Sequence, residues 1–273
     1  MVTRIISAVV AALIGAGILC FAHTAVLPAA VAFLSVLGVF ELYRANKLTE
    51  YKLMTALACT FTGIYPFLVV YTNVKIIQLF TTAVITGIFA AYLPLHNRMS
   101  FEKLSYAVLM PLLLGNSMSS LCRLELLSER HGVAFIVLSL CGAWAADTAA
   151  YFTGTFFGRH KLCPEISPKK TVEGFIGGIV FDGLFFVLFN SVYVYFFARD
   201  CGVNYFSSFI LGMICAALGT VGDLSASLIK RQCGIKDYGK IMPGHGGFMD
   251  RFDSVLFVVP FMYAYLSAIN IYV

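Results

Sequence analysis

Nine long apolar runs, almost free of charge, fill this chain, and no other feature limits its fold as tightly. They cover residues 5–22, 24–40, 53–71, 76–95, 104–121, 133–157, 175–198, 205–229 and 254–273. Each is close to the ~20 residues an α-helix needs to cross ~30 Å of hydrocarbon. Barrel strands need only about 9–11 residues and alternate polar with apolar positions, which these runs do not. Lipid offers a backbone amide no partner, so the helix is the spanning form that remains. Composition agrees, since 12% of the 273 residues are charged against ~25% in soluble proteins. The expected fold is an all-α polytopic membrane protein with nine transmembrane helices. The first run exceeds the apolar core of about 7–15 residues in a cleavable signal, and it reads as a retained span.

Basic residues set the orientation, because short cytoplasmic loops collect Lys and Arg. With the N-terminus inside, fifteen of the 19 Lys and Arg fall in inside segments. The outside segments hold Lys75, Arg123, Arg130 and Arg199. The expected topology is N-in and C-out, in a multi-pass cell membrane protein. Nine of the fifteen lie in the last two inside loops, so some of that charge serves a ligand. No basic run is long enough for a nucleic-acid arm, and nucleic acid is not an expected partner. Eight cysteines contain no C-x-x-C pair and several fall inside apolar runs, as small buried residues do. That pattern argues against a zinc site or a disulfide framework. Two parts follow. Residues 1–131 carry helices one to five as a scaffold, with few intramembrane polar groups beyond Glu41. Residues 132–273 carry helices six to nine and the chemistry-bearing inside loops.

Three stretches hold that chemistry. In the first, Asp147, Tyr151, Gly154 and Gly158 follow i, i+4, i+7, i+11 spacing and share one face of the sixth span. An aspartate within a span costs about 3 kcal/mol or more and faces protein or a water-filled cavity. Asp147 is therefore a site candidate, while Gly154-x-x-x-Gly158 reads as a helix-packing motif. The second, 166–174, leads into the seventh span. Thr171 or Ser167 is placed to cap that helix, and Glu173 in its first turn suits the positive end of the dipole. Lys169 and Lys170 beside a helix N-terminus suit a phosphate, and equally suit a positive-inside anchor.

The third stretch, 222–253, is the richest. Asp223, Ser227 and Lys230 share a face at the inside end of the eighth span. Pro243-Gly-His-Gly-Gly247 cannot continue that helix, and its bare amides can approach an anion closely. Asp250 and Asp253 follow, three apart, at the mouth of the ninth span. Carboxylates among lysines, arginines and a glycine-rich turn are what phosphoryl or nucleotidyl transfer requires, with Mg²⁺ held by one or two carboxylates and the substrate phosphates.

This third stretch resembles the hallmark motif of the phosphatidate cytidylyltransferase (CDP-diacylglycerol synthase) family. Ser227, Lys230, Arg231, Lys236, Asp237, Gly239, Pro243, His245, Gly246, Gly247, Asp250, Arg251 and Asp253 match it in spacing. Segments 147–162 and 167–174 look similar to cytoplasmic segments of the family. The resemblance covers roughly residues 140–256, and the first half only by hydropathy. Two departures are visible: Met242 stands where the family usually has Leu, Ile or Phe, and Ala226 where many members carry an acid.

The resemblance implies CTP and phosphatidic acid as substrates, converted to CDP-diacylglycerol and pyrophosphate, with Mg²⁺ required and a second cation left open. It implies Asp223 and Asp250 as metal ligands and, with Lys230 and Arg251, as the catalytic set. Asp147, Ser167, Lys169, Lys170, Thr171, Ser227, Arg231, Lys236, Asp237, His245, Gly246, Gly247 and Asp253 would bind substrate. A homodimer in the lipid bilayer is what the family suggests. The charge count independently puts both motif loops on the cytoplasmic side, at the inner ends of the last four helices, where a soluble nucleotide meets a lipid. A chain with so little outside its spans reads as bacterial. Two alternatives remain: a CTP-dependent polyprenol or phytol kinase, which would release CDP, and a proton- or cation-coupled membrane transporter using Asp147, Asp182 and Asp223.

Overall fold

The computed structural model describes residues 2–239 and 246–272, without the side chains of residues 2–5 and 8. Among them the order is α1 (Val2–Cys20), α2 (Val26–Ala45), α3 (Lys52–Tyr71), α4 (Val74–Tyr92), α5 (Phe101–Leu126) and α6 (Gly132–Phe157). Strands β1 (Lys161–Cys163) and β2 (Ser167–Thr171) come next, then α7 (Val172–Phe197), α8 (Tyr205–Gln232), the one-turn α9 (Met249–Phe252) and α10 (Val255–Ala268). Seven helices, α2 to α8, are long and apolar enough to cross a membrane. α1 contributes the shorter apolar stretch Val9–Cys20, and α10 has only 14 residues. At 1.5 Å per residue α10 is about 21 Å long, less than the ~30 Å of hydrocarbon. Large apolar side chains stand uncovered along the helices, Phe206 at 78% and Leu79 at 72% exposure. An aqueous surface does not carry apolar area on that scale, and a lipid-facing one does.

Two compact units divide the chain: Met1–Leu126 with Gln232–Phe252, and Leu127–Arg231 with Asp253–Val273. Residues 232–239 and 246–252 fall in the first of these units, with the N-terminal helices.

In the N-terminal unit, α2, α3 and α5 pack mutually, with α4 against α3. Tyr43, Phe61, Leu114 and Met118 are fully buried there, and the Tyr43 hydroxyl donates to the Ala107 carbonyl at 2.5 Å. Phe248, 1% exposed, anchors segment 232–252. A Cβ added at Gly38 would meet its ring at 3.0 Å, so the missing side chain on α2 makes its seat. Truncating an aromatic buried this way costs about 3–5 kcal/mol.

In the C-terminal unit, α6 and α7 form the most extensive helix pair, and α10 packs on α6. A Cβ at Gly174 would lie 2.6 Å from the Ala150 carbonyl oxygen, and one at Gly178 3.1 Å from the Ala150 Cβ. Close approach of small residues is how helices associate where water supplies no hydrophobic drive. β1 and β2 form an antiparallel hairpin between these helices. Its exit is fixed by Thr171, whose hydroxyl accepts the Gly174 N–H at 3.1 Å and caps α7. Away from the hairpin, Arg130 clasps Asp200 through two nitrogens at 2.5 and 2.6 Å, and this pairing holds the Asp200 carboxyl down at about 2. The eight cysteines form no disulfide, and Cys122 and Cys215 are buried.

Candidate active site

The C-terminal unit gathers acids from three elements. Asp147 lies on α6, Asp223 on α8, and Asp253 just ahead of α10. Lys170 reaches Asp223 from the hairpin, Nζ to Oδ2 at 2.6 Å, with both side chains about a quarter exposed (23% and 27%). Ser227, one turn on from Asp223, donates to its Oδ1 at 3.3 Å, as i, i+4 spacing requires. The Ser254 hydroxyl donates to Asp147 Oδ2 at 3.0 Å, while its backbone N–H donates to Asp253 Oδ1 at 2.8 Å. Gly222 lets α8 close on this point, since a Cβ there would lie 2.5 Å from the Asp253 carbonyl oxygen. Asp253 is 8% exposed. Burial foremost, then the charges of Asp223 and Asp147, push its carboxyl up to about 7, against the opposing pull of the Ser254 amide and Lys230.

Thus the structure brings together Asp147, Asp223, Asp253, Lys170, Ser227 and, through its charge, Lys230. The other candidates in this unit stand apart or serve the scaffold. Lys169 and Arg231 are exposed and Ser167 is half-buried, while Thr171 is engaged as the cap of α7. Glu173 does more than answer a helix dipole. Its carboxylate accepts the N–H groups of Arg159 and His160 at 3.1–3.2 Å and pairs with the His160 ring at 2.6 Å, tying the start of the hairpin to α7. Asp182, named by the transporter alternative, is fully buried on α7, and among the described residues neither carboxylate oxygen is hydrogen-bonded.

The N-terminal unit holds the remaining motif residues in a different way. Asp250 Oδ2 accepts two backbone N–H groups, from Tyr238 at 2.9 Å and Gly247 at 3.0 Å. Gly246 adopts φ +89°, a conformation open to glycine and strained for other residues. Lys236, Asp237 and Arg251 are exposed. His245 and the rest of 240–245 lie outside the described residues. From α2, Arg44 donates to the Tyr238 carbonyl at 2.9 Å, and Glu41 Oε2 accepts the Met249 N–H at 3.0 Å. The sequence gives Glu41 no role, counts Arg44 only toward the inside positive charge, and marks Ser254 only as the start of the last apolar run. The usable signal was an acid and a base three apart at the end of an apolar run, since such a pair shares one helix face.

Donor chemistry is all hard oxygen, which suits Mg²⁺ and not a soft metal. Among the described residues no three His, Cys, Asp or Glu side chains converge as a ready-made cage. Mg²⁺ characteristically needs no such cage, using one or two carboxylates with substrate phosphates and water.

A family model described as cytidylyltransferase family matches residues 2–269. Among curated proteins, the phosphatidate cytidylyltransferase of Bacillus subtilis is 36% identical over 171 residues, 63% of this chain and 61% of that protein. That of Aquifex aeolicus is 42% identical over 134 residues, 49% of this chain and 48% of its own length. A Staphylococcus aureus phosphatidate cytidylyltransferase is 37% identical over 190 residues, 69% of each chain. In the first two of these the match spans about half to three-fifths of the relative.

Proposed function

The chain belongs to the cytidylyltransferase family, and from that premise we propose that it transfers the cytidylyl group of CTP to phosphatidic acid. A phosphate oxygen of phosphatidic acid bonds to the α-phosphorus of CTP while the bond from that phosphorus to the bridging α–β oxygen breaks. The products are CDP-diacylglycerol and pyrophosphate. A phosphate monoester is a competent nucleophile near neutral pH, so no strong general base is needed and His245 need not be one.

The observation that carries this reading is the Lys170–Asp223 pair set beside Asp147 and Asp253, acids within or just ahead of apolar helices. An ammonium has three donors and can hold a carboxylate and a phosphate at once. Lys230, Arg231, Lys236 and Arg251 provide further cations for phosphates of either substrate. Asp223 and Asp250 are assigned as metal ligands on the sequence motif, and the crowding of Asp223, Asp147 and Asp253 favours a cation in the C-terminal unit. Bound there, Mg²⁺ would neutralise charge on the α-phosphate and the leaving pyrophosphate. Asp147, Ser167, Lys169, Thr171, Ser227, Asp237, Gly246, Gly247 and Asp253 complete the proposed substrate-binding set.

The wider setting belongs to the same proposal: nine bilayer-crossing segments, N-in and C-out, in a bacterial cytoplasmic membrane. The site faces the cytoplasm, and the chain works as a homodimer. The fifteen-to-four split of basic residues supports the orientation, and a cytoplasmic face admits CTP from solution and phosphatidic acid from the inner leaflet.

The test is turnover of detergent-purified protein with phosphatidic acid, Mg²⁺ and CTP labelled at the α-phosphate. Label entering a chloroform-soluble lipid is expected. Label entering a polyprenol only from γ-labelled CTP would establish a kinase instead.

A further inference from the structure

The N-terminal unit carries a buried carboxylate that the proposed chemistry does not use. Glu41, near the end of α2, is 1% exposed. Beyond α2, Met249, Gly239 and Gly247 of the segment that bears Asp250 lie against it. Oε2 accepts the Met249 N–H at 3.0 Å, and Oε1 makes no hydrogen bond among the described residues. The carboxylate instead fills the space above two glycines. A Cβ at Gly247 would sit 2.6 Å from both of its oxygens, and one at Gly239 would collide with Oε1. Three residues along the same helix face, Arg44 holds the Tyr238 carbonyl at 2.9 Å.

Those contacts converge on Asp250. Gly247 and Tyr238, whose N–H groups hold Asp250 Oδ2, are the residues against which Glu41 and Arg44 act. The Met249 amide that Glu41 takes belongs to the residue immediately before Asp250. Burying an acid is costly unless it is hydrogen-bonded or paired. Here the carboxylate is bonded to the Met249 amide and packs against Gly239 and Gly247, so it ties residues on both sides of 240–245 to α2.

We propose that Glu41 is a positioning residue, with Arg44 as its partner, that fixes the Asp250 carboxylate through the backbone of the loop. This rests on the reading of Asp250 as a metal ligand. It also gives Gly239 and Gly247 a reason to be glycine, room for the Glu41 carboxylate, beside their own close approach, since a Cβ at Gly247 would lie 2.6 Å from the Gly239 nitrogen as well.

The experiment compares Glu41→Ala, Glu41→Gln, Gly239→Ala and the double variant Glu41→Ala/Gly239→Ala in the full-length, detergent-purified protein. Two readouts are taken: the Mg²⁺ concentration for half-maximal turnover, and the rate of tryptic cleavage within 236–251. Residues that orient a metal ligand typically change metal affinity or activity by about 10–100-fold when removed. Glu41→Ala is therefore expected to raise the Mg²⁺ requirement by about that factor, leave the KM for phosphatidic acid nearly unchanged, and speed cleavage. Glu41→Gln, which keeps volume and one acceptor oxygen, should retain most of both properties. Gly239→Ala should be harmful alone and add little once Glu41 is removed. An unchanged Mg²⁺ requirement and cleavage rate in Glu41→Ala would overturn the proposal, as would losses at 41 and 239 that simply multiply. Should the unaltered protein show no cytidylyl transfer, the functional reading fails and the cleavage comparison alone decides the clamp.

Discussion

Two carboxylates at the centre of this account, Asp223 and Asp250, are held by opposite means. Asp223 is met by side chains, the Lys170 ammonium at 2.6 Å and the Ser227 hydroxyl at 3.3 Å. Asp250 is met by main chain, the amides of Tyr238 and Gly247 at 2.9 and 3.0 Å. A lysine is a mobile point charge on a four-carbon stem and can share itself with an arriving phosphate. A backbone amide moves only if the loop moves. The contrast is between a carboxylate held by adjustable side chains in the C-terminal unit and one held by fixed main chain in the N-terminal unit.

The strongest break in that comparison is removal of either charge. Asp223→Asn and Asp250→Asn should each lower kcat by about 10²–10³-fold or more, the scale of losing one aimed electrostatic contact in a transition state. Initial rates on monodisperse protein check this, and near-normal turnover in either variant would strike that residue from the metal assignment. Lys170→Ala comes next, with a loss of about 10–100-fold, because a hydrogen bond to a charged group is worth about 1.5–3 kcal/mol. Lys170→Arg should recover only part, since guanidinium geometry is fixed.

Gly246→Ala tests the rigid side of the comparison. A left-handed backbone costs a non-glycine residue about 1–2 kcal/mol, so turnover should fall up to about tenfold with the Mg²⁺ requirement rising. Lys236→Ala should do less. Its exposed charge is worth about 1 kcal/mol or less, a several-fold rise in KM for CTP or phosphatidic acid with kcat nearly kept.

The smallest effect belongs to Asp200→Asn, remote in sequence from every motif. It should leave transfer unchanged and remove a small, salt-sensitive contribution to thermal stability. Because its carboxyl sits at about 2 in the folded chain, below the ordinary value near 3.9, that contribution is present above the ordinary value. It is lost as pH falls through about 2, and melting curves of the two proteins should converge there.

Sequence alone located the long helices because apolar continuity is what both lipid and helix packing demand. The ends were harder to read. The run 254–273 yields a helix only over Val255–Ala268. Beyond it the chain turns extended, with Asn204 donating to the Ile271 carbonyl and Val203 bridging Tyr272, pairings that hydropathy cannot display. The β1–β2 hairpin was invisible for a related reason. Its strands are short and polar and carry Pro168, so no alternation marks them, and distant Glu173 ties down its start.

In the site, Asp223 and Ser227 were legible from helical spacing, and their contact is observed. Lys170 was legible only as a cation near a helix start, because its partner lies 53 positions on in the chain. Glu41 shows the limit most clearly. One acid in an apolar run announces a cost, but the loop that repays it comes about two hundred residues later.

The central claim is nucleotidyl transfer to a phosphorylated lipid, and the products separate it from every alternative. The decisive measurement quantifies pyrophosphate, CDP and CDP-diacylglycerol together during turnover of the purified protein with CTP, phosphatidic acid and Mg²⁺. Pyrophosphate and CDP-diacylglycerol should appear in equal amounts, without CDP. CDP in place of pyrophosphate, or neither lipid nor pyrophosphate from a folded protein, would contradict the account.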